Sequence, residues 1–332
     1  GGGTNLDSNG AYFDATVNAG TTVTLQSDMT VTGTLTVDGN ILVGTHVLTI
    51  SNTTNLTNVD FGTGTLAIGG TLTLTVAAPT ELYDLTVTGA GDLTLGADLT
   101  VNRNVLVAGG GAYNSAGNTL ILGGVGAAVG SITDGNGGTV NFGAVEVNNA
   151  AKTMGSDILV DSLDVSSSSL DVGASTLTVN GLAVVAGTLT NDGGGTVDLG
   201  GTLTVTGTLD NGNGGSRVEA AGDVVFGPLS YTNGGLLYLD GGVVRDLTSG
   251  GNNLGTVEVD GAGANMQDDT TYGNVTITAG TLSTGDFSFD ALSVVATGTL
   301  NASGQATPGN DTQITGVPVS YTHLTLPTIY SV

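Results

Sequence analysis

Carboxylates are the side chains best able to carry chemistry in this chain of 332 residues, which has 29 Asp and Glu. Asp268 and Asp269 are adjacent, and Asp98, Asp157 and Asp164 are candidates for alignment between repeated segments. Two carboxyl groups at a set separation hydrolyse glycosidic bonds, so a polysaccharide lyase or hydrolase is the enzymatic alternative. Such enzymes also use aromatic residues that stack on sugar rings, and this chain has no Trp. We therefore favour Asp residues that lie in turns or face solvent and hydrogen-bond to their own backbone.

Three Gly- and Asn-rich turns offer oxygen atoms of the kind that Ca²⁺ prefers. Their acidic residues Asp134, Asp192 and Asp210 are weak candidates for calcium ligands. None of these turns matches the nonapeptide calcium repeat or the EF-hand loop, so ordinary turn chemistry is the favoured interpretation. No other cofactor is expected, because the chain has no Cys and His46 is the only His outside the final segment. Neither a zinc site nor a Ser-His-Asp triad can be assembled from these residues.

Pairs of Thr separated by one residue are frequent, as in Thr22/Thr24, Thr34/Thr36 and Thr202/Thr204. A flat, regular array of such pairs is one way in which a solenoid binds ice. Thr is also a preferred residue for the solvent face of a strand, because its β-branch suits the pleat. The pairs do not recur at one constant interval, so ice binding is a second alternative rather than the main hypothesis.

The charge of the chain is strongly negative. It has four Lys and Arg residues and a formal net charge of −25. A polyanion of this kind repels phosphate backbones and anionic lipids, so we expect no nucleic-acid partner. Apolar runs are only a few residues long, which predicts no membrane insertion.

The elements that must position these side chains are short strands. Apolar residues alternate with small polar ones, and each run ends at Gly, Asn or Asp, which indicates a strand period of two interrupted by turns. Residues 83–107 repeat residues 13–37 without a gap, with Asp14 matched to Asp84 and Asp28 to Asp98. We place the copies of this unit near residues 13–50, 83–122, 145–180 and 257–300, within a repeat region over residues 1–310.

These features predict an all-β fold. No segment has helical periodicity, and the density of Gly and β-branched residues disfavours helix throughout. Stacked coils of about 20 residues that bury an inward row of Leu, Val and Ile fit the pattern best. The expected architecture is a single-stranded parallel β-solenoid, right-handed by the usual preference of parallel crossovers.

The recurring phrases Gly-Thr-Leu-Thr-Val and Asp-Leu-Thr-Val resemble the β-helical stalks of bacterial surface proteins, the autotransporter and filamentous-haemagglutinin-like adhesins. The resemblance implies export to the cell surface and a non-enzymatic role as a rod, spacer or contact surface. The partners it implies are glycans or proteins of a host or matrix, together with the rest of a longer parent chain. Because residue 1 is not Met, we interpret the chain as an internal fragment.

The final segment, residues 311–332, does not match the repeat. Its end, PVSYTHLTLPTIYSV, contains no Gly and resembles the translated adapter tails of metagenomic open reading frames. We expect this segment to be disordered or a sequencing artefact, in which case His323 and Tyr330 carry no functional meaning.

Overall fold

The computed structural model is all-β, and its parallel strands are stacked as a β-solenoid of about 14 turns. It describes residues 3–6, 11–53, 56, 58–74, 81–124, 127–212, 214–302, 306–308, 314–316 and 319–321. Within these ranges no residue is helical. The predicted fold class is thus confirmed.

The chain divides into two compact units. The first unit comprises residues 1–163 and 167–170, and the second comprises residues 164–166 and 171–332. The strands of the first unit are β1 (Gly3–Leu6), β2 (Ala11–Tyr12), β3 (Ala15–Val17), β4 (Thr22–Leu25), β5 (Met29–Val37), β6 (Asn40–Leu42), β7 (Val47–Thr53), β8 (Val59–Asp60), β9 (Thr65–Ile68), β10 (Thr71–Leu74), β11 (Leu82–Val87), β12 (Asp92–Leu95), β13 (Leu99–Val107), β14 (Ala112–Asn114), β15 (Thr119–Leu122), β16 (Gly130–Asp134), β17 (Ala144–Val147), β18 (Lys152–Met154) and β19 (Ile158–Val160). Two further strands, β20 (Ser162–Val165) and β21 (Ser169–Asp171), contribute residues to both units.

In the first unit the strands of successive coils pair in parallel. Leu66 of β9 lies opposite Leu85 of β11, which lies opposite Val105 of β13. All three side chains are buried, because alternate residues of a strand point to the same side. The step from β13 to β16 is longer, with residue pairs 27 positions apart instead of the usual 20 or so. Stacked aliphatic columns therefore form the core, and coil length varies around them.

The second unit repeats this arrangement. Its strands are β22 (Thr176–Val179), β23 (Ala183–Val185), β24 (Thr188–Thr190), β25 (Thr196–Leu199), β26 (Leu203–Val205), β27 (Thr208–Asp210), β28 (Arg217–Ala220), β29 (Val224–Phe226), β30 (Tyr231–Thr232), β31 (Leu236–Leu239), β32 (Arg245–Thr248), β33 (Thr256–Val259), β34 (Gly263–Met266), β35 (Thr270–Ile277), β36 (Thr281–Ser283), β37 (Phe289–Ala296), β38 (Thr299–Ala302), β39 (Ala306–Pro308), β40 (Ile314–Gly316) and β41 (Val319–Tyr321). Strands β22, β25, β28, β31, β33, β35 and β37 stack in that order as one parallel sheet.

The inward face of that sheet is continuously apolar. One column runs through Leu177, Val197, Val218, Leu237, Val257 and Val275. Each of these side chains is at most 1% exposed. The alternate residues of the same strands point outward, so a fixed register aligns them as well.

The end of the chain is described only in part. Strand β40 pairs with β37 and β41 pairs with β38, both in parallel. His323 and Tyr330 lie outside the described residues.

Candidate functional site

The repeated Asp residues join successive coils. Each one accepts a hydrogen bond from a backbone N–H about 20 residues further along the chain. The pairs are Asp14 with Thr34 (2.7 Å), Asp28 with Val47 (2.9 Å), Asp84 with Asn104 (3.0 Å) and Asp98 with Thr119 (2.7 Å). These carboxylates satisfy N–H groups at the coil corners, and this explains why they recur in the sequence.

The adjacent pair Asp268 and Asp269 joins coils in both directions, with Asp268 bonded to an earlier coil and Asp269 to a later one. The two carboxylate oxygens of Asp268 accept the N–H groups of Ser249 at 2.8 Å and Gly250 at 2.6 Å. Asp269 accepts the N–H of Ser288 at 2.8 Å. The other two candidates, Asp157 and Asp164, have exposed side chains.

The calcium candidates lie in three different turns. Asp134 is 1% exposed, and its carboxylate accepts the N–H groups of Asn136 at 2.8 Å and Val140 at 2.9 Å. Asp192 is exposed and Asp210 is half-buried. Across the described ranges, no three His, Asp or Glu side chains come close enough to hold a metal ion. Calcium binding at these three residues stays a prediction.

The Thr residues form short outward columns. Thr73 lies opposite Thr94, and Thr94 lies opposite Asn114. Thr176 lies opposite Thr196, which is followed by Arg217 on the next coil. In both columns a Thr pair extends over two coils and is then interrupted. Neither column forms the flat, regular array on which the ice-binding alternative depends.

Carboxylates and an aromatic ring do align on the outer face of the second unit. Asp198 lies opposite Glu219, Glu219 opposite Tyr238, and Tyr238 opposite Glu258. Consecutive strands of a sheet are about 4.8 Å apart, so this column brings four side chains together. We call it, with the flanking residues Arg217, Asp240 and Asp260, the acidic strip.

The two carboxylates at the start of the acidic strip hold their protons more tightly than usual. Burial raises the pKa of Asp198, and the charge of Asp240 adds to the effect. Burial likewise raises the pKa of Glu219, although the charge of Arg217 opposes this shift. The Arg217 Nε atom is 2.6 Å from a Glu219 carboxylate oxygen, so the ion pair is direct.

Tyr238 is held in a fixed position at the centre of the strip. The Arg217 guanidinium lies over its ring, 4.0 Å from the centroid, in a cation–π contact. Its hydroxyl group donates a 2.8 Å hydrogen bond to an Asp260 carboxylate oxygen. This bond is the main cause that raises the pKa of Tyr238 to about 12, and it also lowers the pKa of Asp260. The arrangement offers an oriented ring edge flanked by hydrogen-bond acceptors.

Comparison with known proteins gives no identification. No family model, curated protein or solved structure matches the chain. In the part of the chain that the structure describes, no helix is long and apolar enough to cross a membrane.

Sequence reasoning missed the acidic strip. Its members belong to different residue types, so they leave no repeated letter in the sequence. The sequence did contain one signal. Strands follow one another at about 20 residues, and comparing the second outward position of successive strands places Asp198 beside Glu219. Matching identical residues between copies of the repeat instead selects the Asp residues at the coil corners.

Proposed function

We propose that the chain is a structural, adhesive stalk segment of a bacterial surface or secreted protein, acting outside the cell. The β-solenoid supports this proposal, because its inward residues pack in aliphatic columns while its outward residues are free to vary. The observation that carries the proposal is the acidic strip, where register aligns Asp198, Glu219, Tyr238 and Glu258 on one face. The stalk would make contact with its partner through this face.

The chemistry of the strip favours a glycan or a basic protein surface of a host or matrix as the partner. Carboxylates accept hydrogen bonds from sugar hydroxyls and pair with cations, and a fixed Tyr ring gives an apolar contact at small entropic cost. The strongly negative charge of the chain disfavours nucleic acid. In this proposal the rest of a longer parent chain supplies export and anchoring.

The proposal is tested by binding to a glycan array and to immobilised basic matrix protein. The variant Tyr238→Ala with Glu258→Gln removes the centre of the strip. We expect at least a tenfold loss of binding, about 1.4 kcal/mol. The matched control is Thr178→Ala, because Thr178 lies opposite Asp198 in the same outward column but carries no charge. Equal binding by the two variants would show that the contact lies elsewhere.

A second candidate, a polysaccharide lyase or hydrolase, draws support from the raised pKa values of Asp198 and Glu219. A carboxyl group whose pKa lies nearer to neutral is a better general acid. The discriminating experiment measures new reducing ends and unsaturated products on a panel of acidic and neutral polysaccharides. The stalk proposal predicts no turnover by the wild-type chain. If the wild-type chain shows turnover and Asp198→Asn abolishes it, the enzymatic function would replace the stalk proposal.

A further inference from the structure

Lys152, one of the four Lys and Arg residues of the chain, is buried in the core of the first unit. Lys152 begins β18 with an inward side chain and is 0% exposed. Strand β18 pairs with β16, which belongs to the long coil. That coil follows the irregular pairing of β11 with β13. Across this pairing, Asn102 and Arg103 stand opposite the single residue Tyr83. The irregular corner leaves backbone carbonyls that face the buried amine.

The lysine nitrogen contacts two of those carbonyls. It donates hydrogen bonds to the oxygen of Asn102 at 2.7 Å and to the oxygen of Ala128 at 2.6 Å. A neutral amine has two N–H groups and one lone pair, so these two acceptors satisfy a neutral Lys152 and leave its lone pair available. Burial lowers the pKa of Lys152 to about 8, and the charge of Asp84 opposes the shift. About a tenth of the amine is therefore neutral at pH 7.

The side chain of Asn102, whose main chain the amine contacts, is buried with one polar atom unsatisfied in the described part of the chain. Asn102 is 8% exposed, and its Oδ1 atom is buried without a hydrogen-bond partner among the described residues. Its Nδ2 atom donates a 2.9 Å hydrogen bond to a Glu81 carboxylate oxygen. A buried amide oxygen without a hydrogen bond destabilises the folded state. The carboxylate thus contacts the nitrogen that would leave if the amide were attacked.

We propose that Lys152 and Asn102 form an intramolecular isopeptide bond. The Lys152 lone pair attacks Cγ of Asn102, so the Nζ–Cγ bond forms and the Cγ–Nδ2 bond breaks. The attacking nitrogen loses one proton to the Glu81 carboxylate, which passes it to Nδ2, and Nδ2 leaves as ammonia. No oxidant or co-reactant is consumed. Nζ already contacts the main-chain oxygen of the same residue, and the reaction requires it to move from that oxygen to Cγ.

The direct test is the intact mass of the purified full chain. The proposal predicts a mass lower by one ammonia than the sequence gives. Lys152→Arg keeps a cation but cannot form the bond, so its mass should equal that of its sequence. Asn102→Asp should lose one water instead, and Glu81→Gln should slow the loss at least tenfold. Asn104→Asp, on the same strand, is the matched control and should still lose ammonia.

Tryptic digestion of the unfolded chain locates the bond. The chain has only four Lys and Arg residues, Arg103, Lys152, Arg217 and Arg245. A linked Lys152 resists cleavage, so one branched product should join residues 1–103 to residues 104–217. A succinimide at an Asn-Gly turn also loses ammonia, but it would persist in Lys152→Arg and leave the peptides separate. That result, or a wild-type mass equal to the sequence mass after prolonged incubation, would overturn the proposal.

Discussion

Two corners of the first unit occupy equivalent positions of the repeat but differ in their surroundings. At the first corner Asp14 accepts the N–H of Thr34, and at the second Asp84 accepts the N–H of Asn104. The residue immediately before the donor is Gly33 at the first corner and Arg103 at the second. A Cβ atom at Gly33 would collide with the main-chain oxygen of Phe13, whereas the second corner accommodates a full side chain.

Arg103 turns the second corner into a network. Its Nε atom donates a 2.9 Å hydrogen bond to Asp84, its Nη2 atom contacts the other carboxylate oxygen, and its guanidinium lies 4.6 Å from the Tyr83 ring centroid. At the first corner Phe13 is 78% exposed. The two corners thus share the hydrogen bond from a backbone N–H to Asp, whereas the neighbouring side chains differ. Repeated residues therefore indicate coil stacking, and function is better sought at positions that differ between coils.

The largest expected effect is that of removing the carboxylate at each corner. Asp84→Ala leaves a guanidinium and a backbone N–H without their shared acceptor, and we expect a loss of about 3 kcal/mol in the free energy of unfolding. Asp14→Ala removes one exposed hydrogen bond and should cost about 1 kcal/mol. Urea denaturation of both variants checks the difference. Equal losses would contradict the view that Arg103 makes the second corner a network.

The next effect concerns the glycine of the first corner. Gly33→Ala forces a Cβ atom against the main-chain oxygen of Phe13 and the carboxylate of Asp14, so we expect a loss of about 2 kcal/mol. Gly242→Ala is the control, because a Cβ atom there meets nothing within 4 Å. If both variants unfold at the same urea concentration, the close approach at Gly33 is not a constraint.

A smaller effect is expected at the cation of the second corner. Arg103→Lys keeps the charge but loses the planar fork that contacts both carboxylate oxygens of Asp84, which should cost about 1 kcal/mol. The control is Arg103→Lys combined with Asp84→Ala. If Arg103 acts through Asp84, the double variant should be no less stable than Asp84→Ala alone. Additive losses would indicate that Arg103 acts through Tyr83 and not through the carboxylate.

The smallest effect belongs to the outward acidic strip. Because the pKa of Asp198 is raised in the folded state, folding favours its protonated form, and this contribution is lost as pH rises through the interval between the unfolded and folded pKa values. Asp198→Asn should therefore be more stable than wild type at neutral pH, by less than about 1 kcal/mol. The gain should vanish at a pH below both values. Thermal unfolding across this pH range tests the sign.

Much of the fold is predictable from the sequence, because alternation of Leu and Val with small polar residues fixes both the strands and their inward faces. The coil-by-coil register is harder to obtain. Matching identical letters finds Asp14 with Asp84, which are 70 positions and therefore several coils apart, whereas neighbouring coils share only a generic alternation. The repeated Asp residues accept backbone hydrogen bonds, but from N–H groups of a neighbouring coil and not from their own turn as the sequence predicts. The contact of Lys152 with Asn102 could not be predicted, since the two residues are 50 positions apart and meet next to an irregular strand pairing.

The acidic strip depends on a register that aligns Asp198 and Glu219 on adjacent coils of one outer face. The chain has no cysteine, so an engineered pair supplies the only thiols. Strands about 4.8 Å apart bring paired Cα atoms within disulfide range, and we predict that Asp198→Cys with Glu219→Cys forms an intramolecular disulfide on mild oxidation. Asp198→Cys with Glu258→Cys, three coils apart, should remain reduced. Disulfide formation only in the second pair, or equally in both, would contradict the alignment on which the acidic strip depends.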